Sequence, residues 1–267
     1  MSKKIDLDKY YTPAGLAYKT VKKTRQIVGV ENITEWLEPS AGGGIFLNYL
    51  GDKPTLAYDI SPEKIGIVKQ DYLMLNIPYK EGRCIIGNPP FGTRNTMSVK
   101  FYNKSCELGD YIAFILPASQ YNNNQQMYKF DLIHSEMLPL IKYSGRELLC
   151  SFNIYKRPSG GVNKHAIDYS LKDVSVLEWR RGGNYTTPVE YDMGICSWGA
   201  SCGKEIRHQG QFALENYIIV HNKELRQNVL SAMRDADWAK MYPNIATPRL
   251  AQWKIYKYLR DTIPGIK

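Results

Sequence analysis

Apolar residues in the first half of the chain fall in short runs separated by longer mixed stretches. The runs at 33–37, 55–60, 66–68, 84–87, 111–116 and 151–155 read as strands. Between them, the stretches after Gly44, after Ser61, over 100–107 and over 125–134 carry patterns compatible with helices. A helix precedes the first strand. Thr12 is placed to cap it, Pro13 suits its first position, and Leu16, Ala17, Thr20, Val21, Thr24 and Ile27 share one face, with Lys19, Lys22, Lys23 and Arg25 on the rest. Strands alternating with helices predict βαβ units and an α/β fold with a mostly parallel sheet.

The texture changes after Pro158. Glycine, asparagine and serine become frequent, the pairs Gly160-Gly161 and Gly182-Gly183 interrupt the chain, and no long helical stripe survives. A small irregular, β-rich insert is expected over 158–215. It is followed by a strand at 217–220 and by helices, the last opening at Thr247-Pro248 with Ala251, Ile255, Tyr258 and Leu259 on one face. The expected division is therefore 1–157, 158–215 and 216–267, with the last segment packed on the first.

With 267 residues, the chain suits one or two domains at roughly 150 residues each. Hydrophobic residues make up 43% and charged residues 23%, which excludes wholesale disorder. No run is long enough to span a bilayer, and the first residues do not form a secretory signal, so a cytoplasmic setting without membrane association is expected. Lys and Arg number 35 against 26 Asp and Glu, a net charge of +9 that favours a polyanionic partner. The five cysteines include no C-x-x-C pair and argue for reduced thiols. Cys196, Cys202, His208 and His221 lie at gaps foreign to zinc ligation, and no metal site is read from them.

In a parallel sheet the ligand sits beyond the carboxyl ends of the strands, so the residues that end strands carry the chemistry. The first strand runs into Glu38-Pro39-Ser40-Ala41-Gly42-Gly43-Gly44-Ile45-Phe46, a turn that lets the backbone approach a ligand closely. Asp59 ends the second strand, where a carboxylate can accept from ribose hydroxyls, followed by Ile60. Asp71, beside Tyr72, is placed to meet an adenine amino group. Together these suggest an adenosine-containing cofactor. The fourth strand ends in Asn88-Pro89-Pro90-Phe91. Prolines remove two N–H donors and leave carbonyls for a ligand; with the Asn88 side-chain oxygen, they suit a planar –NH2 group, over which Phe91 could stack.

These residues resemble the S-adenosylmethionine-dependent N6-adenine DNA methyltransferases. Tyr10-Tyr11-Thr12-Pro13 is similar to the N-terminal motif that holds the methionine carboxylate, and Glu38 to Phe46 to the E-P-S-A-G-x-G-x-F cofactor loop. Asp59 and Asp71 match the ribose and adenine acids, and Asn88 to Phe91 the catalytic motif. Ala113 to Pro117 and Phe152 to Lys156 are weaker echoes. The resemblance spans roughly 8–157. It implies a Rossmann-like class I methyltransferase fold with a mostly parallel seven-stranded sheet, and methyl transfer from S-adenosylmethionine to an adenine flipped out of double-stranded DNA. Tyr11, Thr12, Pro13, Glu38, Pro39, Ser40, Ala41, Gly42, Gly44, Phe46, Asp59, Ile60, Asp71, Tyr72 and Asn88 would bind cofactor, and Asn88, Pro89, Pro90 and Phe91 would act on the base. Lys156, Arg157, Arg180, Arg181, Lys204 and Arg207 are the candidates for DNA contact; Trp198 could wedge or stack there, but a buried core tryptophan is the expected reading. The same motif type also serves RNA adenine methylation. Methylation of protein glutamine amides is chemically parallel, and a non-catalytic nucleic-acid-binding relative is a further alternative.

Overall fold

The computed structural model describes residues 11–143, 146–183, 190–242 and 248–267. Two compact units divide the chain, Met1–Ile167 and Asp168–Lys267.

Among the described residues, the first unit holds nine strands: β1 (Glu35–Glu38), β2 (Thr55–Asp59), β3 (Val68–Lys69), β4 (Arg83–Gly87), β5 (Tyr111–Pro117), β6 (Asp131–Met137), β7 (Ile141–Tyr143), β8 (Arg146–Leu148) and β9 (Cys150–Lys156). Helices α1 (Ala14–Val28) and α2 (Thr96–Leu108) accompany them. Seven strands form one sheet in the order β3-β2-β1-β4-β5-β9-β6, while β7 and β8 pair as a separate hairpin. Only β9 runs against the others in this sheet. The mostly parallel seven-stranded sheet expected of a Rossmann-like class I methyltransferase is therefore present. Winding starts at β1, runs outward to β3 and restarts at β4, so the switch point lies between the carboxyl ends of β1 and β4.

Side chains alternate along each strand, which sorts the apolar residues of the central strands onto both faces. Trp36, Ile86, Ala113 and Ile154 pack with Ala17, Val21 and Val28 of α1. Leu37, Ile85, Ile112 and Phe114 pack on the other face with Phe101, Tyr102 and Cys106 of α2.

Several expectations are corrected here. The stretch after Gly44 makes only a 3-10 turn, Phe46–Tyr49, cut short at Leu50-Gly51. After Ser61 no helix forms, because Pro62 and Gly66 leave too few residues between them. The stretch over 125–134 is not helical either: Asp131–Met137 is an edge strand, half-buried and bulged between Leu132 and His134, so it lacks the apolar run that marks the central strands. Pro13, not Thr12, is the N-cap of α1, without a side-chain hydrogen bond, and Ile27 is exposed.

In the second unit, β10 (Val174–Arg180), β11 (Met193–Cys196) and β12 (Leu214–Val220) form an antiparallel sheet in the order β10-β12-β11. Helices α3 (Arg226–Asp235), α4 (Trp238–Met241) and α5 (Gln252–Thr262) complete it. The expected small β-rich subdomain is thus present, but not its expected boundaries. Because β12 is the middle strand, it cannot be separated from β10 and β11. Ile255 and Leu259 of α5 share one core with Val176, Ile195 and Ile218, so 216–267 belongs with this sheet. Thr247, named above as opening the last helix, lies outside the described residues, as does Tyr10.

Candidate active site

The turn leaving β1 depends on glycine. Gly42 and Gly44 have φ of 48° and 73°, and a Cβ at Gly44 would meet the Lys64 side chain at 2.9 Å. Asp59 locks the turn in place. One carboxylate oxygen accepts from the Gly42 amide at 2.7 Å and the other from the Ser61 amide at 2.7 Å. The acid at the end of β2 thus shapes the glycine turn itself, a role beyond the ribose contact read from sequence.

Glu38, at the end of β1, is only 1% exposed, and its Oε2 has no hydrogen-bond partner among the described residues. Burial and then the neighbouring Asp59 carboxylate raise its pKa well above the usual range, while Lys64 pulls the other way. Asp71 caps the short turn Tyr72–Met74, its Oδ1 accepting from the Leu73 amide at 2.9 Å.

At the end of β4, the Asn88 side-chain amide donates to the Thr12 hydroxyl at 3.2 Å, and the Ser40 hydroxyl donates to the Asn88 carbonyl at 3.3 Å. The first contact sets which end of the amide is the donor. The second ties the strand tip to the glycine turn.

These elements surround one cavity of about 640 Å³. Of the residues predicted to bind cofactor, Tyr11, Thr12, Glu38, Pro39, Ser40, Ala41, Gly42, Phe46, Asp59, Ile60, Asp71, Tyr72 and Asn88 line it, whereas Pro13 and Gly44 do not. Of the predicted catalytic residues, Asn88 and Pro90 line it; Pro89 and Phe91 do not. Phe91 is 8% exposed and packs in the core that holds α1, so the ring expected to stack on a ligand is committed to the interior.

Gly43, Ile45, Leu73, Met97 and Phe101 also line the cavity and were not among the candidates. Gly43 and Ile45 lie inside the glycine turn already singled out. Met97 and Phe101 are four apart on α2, a spacing that marks a shared helix face without saying what the face meets.

The candidate DNA-contacting residues separate into two groups. Because β9 is antiparallel, Lys156 lies opposite Tyr111 and Asp131, at the amino ends of β5 and β6 and so at the far end of the sheet from the Asn88 tip. Arg157 is engaged besides. Its guanidinium donates to the Cys106 and Gly109 carbonyls, pairs with Asp110 at 3.0 Å and stacks over Tyr79 and Phe130. Both are corrected as poor phosphate contacts. In the second unit Arg180, Arg181, Lys204 and Arg207 are exposed, and none is ion-paired among the described residues. Trp198, expected in the interior, is instead 51% exposed.

Cys84, Cys106, Cys150 and Cys196 are buried, and burial pushes the Cys106 and Cys150 thiols up to about 12, which makes them inert. No described helix is long and apolar enough to cross a membrane.

No protein-family model matches this chain, and no curated protein does. Solved structures do resemble it. A Pyrococcus horikoshii protein provisionally named an RNA methyltransferase is 18% identical, over 58% of this chain and 89% of its own, with a TM-score of 0.48. A Listeria monocytogenes protein provisionally named a class I S-adenosylmethionine-dependent methyltransferase is 13% identical, over 61% and 66%, with a TM-score of 0.48. The methyltransferase subunit of a Streptococcus thermophilus type I restriction-modification system is 14% identical, over 55% and 44%, with a TM-score of 0.44.

Proposed function

We propose that this chain transfers a methyl group from S-adenosylmethionine to the N6 amino group of an adenine extruded from duplex DNA. One observation carries the reading: the glycine turn with Asp59 and the Asn88 tip bound the same cavity, bridged by the Ser40 hydroxyl. The volume, about 640 Å³, is within the range of small-molecule and cofactor sites.

The donor set fits a cationic adenosine derivative. Glu38, buried beside a second carboxylate and with an oxygen unengaged among the described residues, would hold the amino-acid ammonium. Asp59 has one backbone amide on each oxygen and retains acceptor capacity for ribose, since a carboxylate accepts about four hydrogen bonds. Asp71 would take the adenine amine. When bound, the cofactor supplies an activated methyl group on a sulfonium.

The chain's own residues supply geometry. Extruding the base costs a few kcal/mol. The Asn88 side-chain oxygen, oriented through Thr12, would accept an N6 hydrogen and direct the nitrogen lone pair at the donor. Pro89, expected from sequence to take the other, is buried off the cavity. Pro90, Met97 and Phe101 would form the apolar wall in place of Phe91. Arg180, Arg181, Lys204 and Arg207 would contact the backbone.

The test is methyl transfer from tritiated cofactor to unmethylated DNA, to RNA and to a glutamine-bearing peptide. Label on adenine N6 of DNA is expected. Label on RNA alone or on the peptide alone would overturn the substrate assignment.

A further inference from the structure

Directly after the catalytic tip the backbone is forced into an uncommon path. Gly92, Arg94 and Asn95 all have positive φ, at 66°, 53° and 65°. Glycine is needed at the first, where a Cβ would meet Met97 at 2.7 Å. The other two carry side chains in the left-handed region, and such outliers persist only where surrounding structure holds them.

Here it does so from three sides. The Phe91 carbonyl accepts from the amides of Met97 at 3.2 Å and Ser98 at 3.4 Å. The Ser98 hydroxyl donates to the Pro90 carbonyl at 3.3 Å. The Asn95 side chain donates to the Ser119 hydroxyl at 3.0 Å, latching the loop to the segment that leaves β5. The held segment therefore spans the carboxyl ends of β4 and β5, beside the Pro90 and Met97 wall of the cavity.

Arg94 is the cation this arrangement presents. It is exposed, and among the described residues it has neither an ion pair nor a side-chain hydrogen bond. Resting on the DNA reading above, we infer that Arg94 holds a phosphate flanking the extruded adenine. A nucleotide brought to Asn88 carries its phosphodiester linkages to the rim of the same tip. A guanidinium matches phosphate with two parallel hydrogen bonds, and a fixed loop removes part of the ordering cost of making them. Met97 and Phe101 thus shape the pocket for the base, and Arg94 sets the register of the backbone.

Salt dependence distinguishes this role from general damage to the loop. Each neutralised phosphate contributes about −0.9 to the slope of log affinity against log salt on duplex DNA. Methyl transfer to unmethylated duplex DNA is followed from 50 to 200 mM KCl for the wild-type chain, Arg94→Ala and Arg94→Lys. Over that fourfold rise the wild-type KM for DNA should climb about 3.5-fold more than that of Arg94→Ala, and Arg94→Lys should restore the wild-type slope. Parallel lines for wild type and Arg94→Ala, with the wild type active on DNA, overturn the Arg94 assignment alone. Label on RNA only, or on neither polymer, overturns the DNA reading and the assignment with it.

Discussion

Thr12 and Asn88 are separated by 76 positions, yet the Asn88 side-chain amide donates to the Thr12 hydroxyl, a contact that helps orient the side chain proposed to receive the amine. Asn88→Ala removes the acceptor, and transfer should fall by about 10²- to 10³-fold, the loss found when one oriented catalytic dipole is deleted. Cofactor affinity, measured by calorimetry, should stay within a few-fold; an equal loss of both would make Asn88 a structural residue. Glu38 presents the opposite balance. As an acid whose folded pKa is raised, it binds its proton more tightly in the native state, so its presence lowers stability as pH rises from about 4.5 through that pKa. Glu38→Gln removes the effect. The melting temperature of the ligand-free protein at pH 7 should rise by a few degrees while cofactor affinity falls at least tenfold. A variant that loses stability without losing affinity would show Glu38 to be a scaffold residue.

Among the elements, β1 and β4 matter most, since the switch point lies between them. Their register sets Glu35 opposite Arg83, and the pair bonds at 2.6 Å with Lys80 adding a second cation at 2.8 Å. Burial would raise the Glu35 pKa, but the two cations outweigh it and hold it below the ordinary value. The stabilisation is therefore present above about pH 4.5 and fades as pH falls through the lowered pKa. Arg83→Met leaves that carboxylate with only Lys80 and should cost about 3 kcal/mol in denaturant unfolding at pH 7. Strands buried on both faces, such as β4 and β5, were legible because a continuous apolar run has few other readings. The edge strand β6 was not. With one neighbour and a half-exposed surface, it needs only Leu132 and scattered apolar contacts, a pattern that local spacing cannot separate from a helix.

For the molecule as a whole, the consequence is two units in one chain, each with core residues of its own. Leu259 is fully buried among Val176, Ile218 and Met233 in the second unit. Leu259→Ala should destabilise that unit by about 2–5 kcal/mol. Proteolysis should then open 168–267 first, with cofactor affinity unchanged; coincident loss of both would mean that the two units unfold as one. The amino-acid sequence by itself determined the strand ends, the glycine turn, the acids that follow it and the Asn88 motif, because each is a local chemical requirement met by neighbouring residues. Tertiary structure alone decided that Phe91 turns inward while Met97 and Phe101 face the cavity. It also decided that Arg157 is spent on Asp110 and that β12 pairs between β10 and β11, both from the Gly-rich stretch before it. Those outcomes depend on which distant surfaces meet, and helical or strand periodicity shows that a face is apolar without naming its partner.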